Sequence, residues 1–83
     1  MSDAFDALPD AEQGEIAERI SEALWGHYRR PPVTVPGVTL DDVQTLDVTN
    51  HRIIGTVDET PFCCDSGDRS GFGMLAWGDE VNP

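Results

Sequence analysis

The sequence has 83 residues, which suffices for one small domain with a single core and leaves little room for a cleft enclosed on several sides. Its 16 Asp and Glu outnumber five basic residues, all of them arginine, and the net charge is −11. This balance disfavours direct binding to DNA, RNA or an anionic membrane, because phosphate contacts require clustered cations.

The opening stretch, "MSDAFDALPD", is acidic and lacks the basic and apolar regions of a signal peptide. No apolar run approaches the roughly 20 residues of a membrane-spanning helix. We therefore expect a cytoplasmic protein, a compartment in which cysteines are usually thiols.

The first half of the chain predicts one helix. Residues 1–8 indicate a loose arm, from which Phe5 and Leu8 could still dock on the core. A helix is expected over 10–28, because apolar residues recur at i, i+4 and i+8 and two prolines follow. These apolar positions are Ile16, Ile20 and Leu24. The proline-rich segment 31–39 predicts an extended connector, since proline fixes φ and removes a donor.

The second half predicts an antiparallel sheet over 43–77. Segments 43–49 and 52–58 are rich in β-branched residues, with a tight turn expected at Asn50-His51. A third strand is predicted in "GFGMLAW", after a long loop. The predicted fold is α+β, with one N-terminal amphipathic helix packed on a three-stranded meander in a single domain, 1–83.

The loop "TPFCCDSGDRSGFG" contains both cysteines, Cys63 and Cys64. A disulfide between neighbours would be badly strained. Their spacing from His27 and His51 matches no zinc pattern. A cysteine nucleophile needs an electropositive setting, whereas acids flank this pair. We expect no catalytic residues, no metal and no cofactor, and interpret one cysteine as a core residue.

Acidic residues form the most informative pattern. Glu15, Glu18 and Glu22 fall within about 60° on the helical wheel, opposite Ile20, and we name these three with Glu12 the acidic row. Its span is about 15 Å, or one carboxylate per ~5 Å, against one phosphate per ~3.4 Å along a nucleic-acid strand. Two tryptophans and two loop acids complete the predicted partner-binding set. The full set is Glu12, Glu15, Glu18, Glu22, Trp25, Asp65, Asp68 and Trp77.

These features favour a small, non-enzymatic protein whose acids engage a basic, nucleic-acid-binding site on a partner protein. In size and charge the chain is similar to the anti-restriction and anti-CRISPR proteins of phages and mobile elements. That compositional resemblance implies an inhibitor that mimics nucleic acid. Two alternatives stay open: an acidic housekeeping domain of a salt-adapted organism, whose charge serves solubility, and a thiol redox or nucleophile protein centred on Cys63 and Cys64.

Overall fold

The computed structural model describes residues 2–67 and 71–82, which form two helices, four strands and a final 3₁₀ turn. The predicted α+β class, with an N-terminal helix and an antiparallel sheet, is confirmed. The predicted number of strands, three, is wrong. The sheet is a meander in the order β1-β2-β3-β4. The elements are α1 (Asp3–Asp6), α2 (Asp10–His27), β1 (Val38–Thr45), β2 (His51–Val57), β3 (Thr60–Gly67), β4 (Gly71–Trp77) and the 3₁₀ turn Gly78–Glu80.

The additional strand, β3, occupies most of the segment that was predicted as a long loop. It follows a two-residue turn in which Asp58 and Glu59 have positive φ values of 48° and 71°. Positive φ at both central residues matches the right-handed twist of a hairpin. Asp is common at the first of these positions, but the second usually carries Gly, so Glu59 did not indicate such a turn.

Strand β1 also departs from prediction. It begins at Val38, inside the predicted connector 31–39, and ends at Thr45 rather than at residue 49. The expected tight turn at Asn50-His51 is wrong, because His51 is already the first residue of β2. The connection instead spans 46–50. The Asn50 carbonyl closes it by accepting the Leu46 amide at 2.8 Å.

Helix α2 packs on one face of the sheet, and this contact forms the core. Its inward residues, led by Ile20 at 0 % exposure, meet the buried residues of β2, β3 and β4. The opposite face carries half-buried side chains such as Ile54 and Cys63, and no helix of the described chain covers it. The buried cluster comprises Phe5, Ile16, Ile20, Leu24, Ile53, Val57, Phe62, Cys64 and Met74.

The N-terminal segment is docked rather than loose, as the alternative for Phe5 and Leu8 allowed. Phe5 is buried, and its ring meets Trp77 edge-to-face with centroids 5.6 Å apart. The Ser2 amide donates to the Met74 carbonyl at 3.1 Å, at the edge of the sheet. The short helix α1 therefore closes one end of the core.

Across the described ranges, no helix combines the length and apolarity needed to cross a membrane.

Candidate functional site: an acidic surface and an aromatic groove

The acidic row lies on the solvent side of α2. All four of its glutamates are exposed, because the inward face of the helix is taken by Ile16, Ile20 and Leu24. The helix repeat of 3.6 residues places the two sets on opposite sides. The row is therefore available to a partner without any rearrangement of the fold.

Arg19, the arginine of helix α2, forms its ion pair with a residue outside the helix. Arg19 lies one helical turn after Glu15, but its Nη1 donates to Asp58 Oδ2 at 2.9 Å. Its Nη2 donates to the Pro36 carbonyl at 2.6 Å. The hydrogen bond from Arg19 lowers the pKa of Asp58 below its usual value. Glu15 keeps only a through-space attraction to Arg19, which is the smallest of the contributions that raise the pKa of that guanidinium.

A second group of acids surrounds the start of α2. Asp58 of the β2–β3 turn and Trp77 at the end of β4 reach the first half of the helix, where they line one cavity with Glu12. The Glu80 carboxylate accepts the Ala4 amide at 3.2 Å, which places α1 at the same end. We name this region the acidic end. Its acids are Glu12, Glu15 and Asp58, which line the cavity, and Glu80, which contacts α1.

Charge is more mixed elsewhere on the described chain. The exposed arginines Arg29 and Arg30 follow the C-terminus of α2, and Arg52 lies on the open face of the sheet. In the acidic end, by contrast, the arginine that lines the cavity with Glu12 and Glu15 is Arg19, and it is bound to Asp58. Exposed arginines therefore accompany the acids less closely around the first half of α2 than at its C-terminus and on the open face of the sheet.

At the other end of α2 lies an open groove of about 470 Å³. Trp25 and Tyr28 form its helix side, and Val48 and His51 form its sheet side. Trp25 is 65 % exposed, Tyr28 51 % and Val48 94 %. We name it the aromatic groove. Its described lining residues are Ser21, Leu24, Trp25, Tyr28, Val48, Thr49, His51, Ser66 and Gly67.

Hydrogen bonds fix the floor of the aromatic groove. The Tyr28 hydroxyl lies 3.1 Å from His51 Nδ1 and 3.4 Å from the Thr45 hydroxyl. The Thr45 hydroxyl lies 3.3 Å from the same histidine nitrogen. These contacts connect the end of α2 with the β1–β2 hairpin and hold the Tyr28 ring in one place.

The remaining predicted site residues lie in different places. Trp77 is half-buried beside Glu12 and Glu15. Asp65 lies apart from the acidic row, on the open face of the sheet, where it pairs in register with Arg52. Asp68 falls outside the described residues. The structure thus brings the acidic row close to both tryptophans and separates it from Asp65.

The two cysteines are free and point to opposite faces of β3. Cys64 is completely buried, and this burial raises the pKa of its thiol well above the usual range, with smaller contributions from Cys63 and Asp65. Its sulfur therefore stays protonated at neutral pH. Cys63 is half-buried on the open face. The nearby His51 uses its Nδ1 for Tyr28 and Thr45.

Potential metal ligands do not converge in the described part of the chain. Residues 2–67 and 71–82 contain no group of three or more His, Cys, Asp or Glu side chains placed to hold an ion.

Comparison with known proteins adds no relative: no family model matches the chain, and neither a curated protein nor a solved structure shows significant similarity to it.

Proposed function

We propose that this protein is a non-enzymatic inhibitor or adaptor that binds a basic site on another protein, and that the partner normally uses this site for nucleic acid. The observation that carries the proposal is the exposed acidic row, which continues into the acidic end. The carboxylates of the row are spaced by about 5 Å along the helix. This negative ridge resembles a phosphate backbone in sign and extent.

The arrangement of cations supports the same conclusion. Arg19, the arginine closest to the row, is bound to Asp58 and to the Pro36 carbonyl. Arg19 therefore gives its hydrogen bonds to groups outside the row, and its remaining interaction with Glu15 is only through space. A surface of this kind speeds association with a basic partner and makes the binding sensitive to salt.

Affinity capture from the native host at low salt tests the proposal. We expect the immobilised protein to retain a nucleic-acid-binding protein, which elutes when the salt is raised or duplex DNA or RNA is added. Glu12→Lys/Glu15→Lys should weaken capture by at least about tenfold, because juxtaposed like charges cost several kcal/mol.

The matched control is Asp41→Lys/Asp42→Lys, which changes the net charge equally on exposed residues of β1. This variant should retain most of the captured partner. Two results would contradict the proposal. One is capture that yields no basic nucleic-acid-binding protein, and the other is equal loss in both double variants, which would indicate a response to net charge alone.

A further inference from the structure

Exposed apolar side chains gather at the C-terminal end of α2. The aromatic groove adjoins a second groove, and Trp25 lines both of them. Six large apolar side chains are exposed in the described ranges, and four of them line these two grooves, namely Trp25, Tyr28, Val33 and Val48. Scattered single exposures are ordinary on protein surfaces, but grouped ones mark an interaction site. We name the two grooves together the apolar patch.

The apolar patch is electrically balanced, although the chain has a net charge of −11. Every described residue that lines the aromatic groove is uncharged. The second groove adds one acid and one base, Glu22 and Arg29. Both belong to the described part of the chain, and they form no ion pair with each other. The patch therefore presents one charge of each sign beside an apolar centre.

A second copy of this chain matches these properties. Two molecules of charge −11 repel each other wherever acids face acids, whereas the described lining of the patch has no net charge. In a two-fold symmetric contact the same surface meets itself, so residue i of one copy faces residue j of the other, and the reverse. This symmetry allows Glu22 of each copy to meet Arg29 of the other.

The size of the patch also suits a contact between two copies. A symmetric contact unites four aromatic side chains, which bury about 150–250 Å² each when fully enclosed. In Trp25 and Tyr28, 65 % and 51 % of the surface is still exposed. With the valines added, the area corresponds to the weak class of interfaces, below about 1,200 Å² in total.

We propose that the apolar patch is the interface of a weak, symmetric homodimer. The aromatic side chains of each copy cover those of the other, and Glu22 pairs with Arg29 across the two-fold axis. Glu12 and Glu15 lie at the other half of α2, outside this interface. The dimer therefore presents two acidic ends, and this inference goes beyond the proposed function without depending on it.

Sedimentation equilibrium of the full chain tests the dimer. The weight-average mass should rise from that of one chain at micromolar concentration toward that of two chains at millimolar concentration. Added salt should tighten the dimer, because screening reduces the repulsion between two chains of charge −11. Binding of a basic partner to the acidic row should respond to salt in the opposite direction.

Variants of the patch locate the interface. Trp25→Ala should raise the dissociation constant of the dimer by at least about tenfold, as expected of a central aromatic residue. Val48→Ser removes less apolar area and should raise it by a smaller factor. Both side chains are mainly in solvent, so circular dichroism should show an unchanged fold. Leu75→Ser is the matched control, because Leu75 is exposed on β4 outside both grooves, and it should dimerise like the wild type.

Charge exchange tests the pairing across the axis. Glu22→Arg and Arg29→Glu should each dimerise more weakly than the wild type, because like charges then face each other. Mixed in equal amounts, the two variants should form a heterodimer, since every arginine at these positions again faces a glutamate. A response to net charge alone would instead make Glu22→Arg dimerise more tightly.

The inference is overturned if the wild type stays monomeric at millimolar concentration, in which case the patch serves a different protein or none. It is also overturned if Trp25→Ala dimerises as tightly as the wild type, or if the two charge variants do not combine. Failure of the dimer is separable from failure of the proposed function. Capture of a basic partner by a protein that stays monomeric would keep the proposed function and remove the dimer.

Discussion

Glu80 links both ends of the described chain through one carboxylate. Its Oε1 accepts the Ser2 hydroxyl and, at 3.1 Å, the Trp77 amide, while Oε2 accepts the Ala4 amide at 3.2 Å. The same Ser2 hydroxyl accepts the Phe5 amide at 3.1 Å, as the N-cap of α1. These hydrogen bonds, that from Ser2 foremost, lower the pKa of Glu80 below its usual value.

Replacing Glu80 with glutamine should reduce the loss of folding stability that accompanies acidification. A carboxylate whose pKa is lowered by folding stabilises the protein fully above its unfolded pKa, roughly 4.3 for Glu. That contribution disappears as the pH falls through the folded pKa. We expect Glu80→Gln to lower the urea midpoint at pH 7, and the difference from wild type to shrink below about pH 4.

Asp79→Asn provides the control for this measurement. It removes the same formal charge from the same 3₁₀ turn without touching the hydrogen bonds of Glu80. Its midpoint should stay close to that of the wild type at both pH values. A difference for Glu80→Gln that is constant from pH 7 to pH 3 would show that the charged form of Glu80 is not what stabilises the N-terminal segment.

Helix α2 contains two glycines whose surroundings differ. The chain after the helix turns back on Gly26, and the Val33 amide donates to the Gly26 carbonyl at 3.3 Å. A side chain at Gly26 would overlap the Val33 backbone. Around Gly14, by contrast, an added methyl group would meet no atom within 4 Å.

Gly26→Ala should therefore destabilise the fold, whereas Gly14→Ala should stabilise it. Alanine gains up to about 1 kcal/mol in either helix position. At Gly26 that gain is exceeded by an overpacking cost of about 1–3 kcal/mol. Urea unfolding of both variants checks the pair. An increase in the midpoint for both would mean that the segment after α2 does not pack closely on the helix.

The same element shows what can be predicted from the sequence. The limits of α2 follow within one residue from the spacing of Ile16, Ile20 and Leu24 together with the prolines that follow the helix, since both signals are local. Strand β3 was missed because its start depends on positive φ at both Asp58 and Glu59, and the second position of such a turn usually carries Gly rather than Glu. The segment Thr60–Gly67 consequently resembled a loop, although Phe62 and Cys64 alternate as a strand requires.

The candidate site likewise has one part that the sequence predicts and one part that only the folded structure reveals. The acidic row was accessible from the sequence, because the helical repeat alone places its glutamates on one side. The aromatic groove was not, since Tyr28, Val48 and His51 meet only when the hairpin folds against the end of α2. The exposure of Val48 depends on the turn 46–50, a region that was predicted to contain the end of a strand.

At the scale of the whole molecule, the net charge of −11 is unevenly arranged. Acids dominate the acidic end, whereas the opposite end of α2 combines an uncharged groove with Arg29 and Arg30. Charge that serves solubility alone requires no such separation. The proposed function requires an arrangement of this kind, in which acids are grouped where a basic partner would approach.

Direct competition on the captured partner is the most decisive measurement. The purified partner is bound to its own fluorescently labelled DNA or RNA, and this protein is added while fluorescence anisotropy is recorded. We expect the nucleic acid to be released as the protein binds. The double variant Glu12→Lys/Glu15→Lys should require at least about tenfold more protein for the same release. Stable binding of both ligands to the partner at once, with no release of nucleic acid, would contradict mimicry.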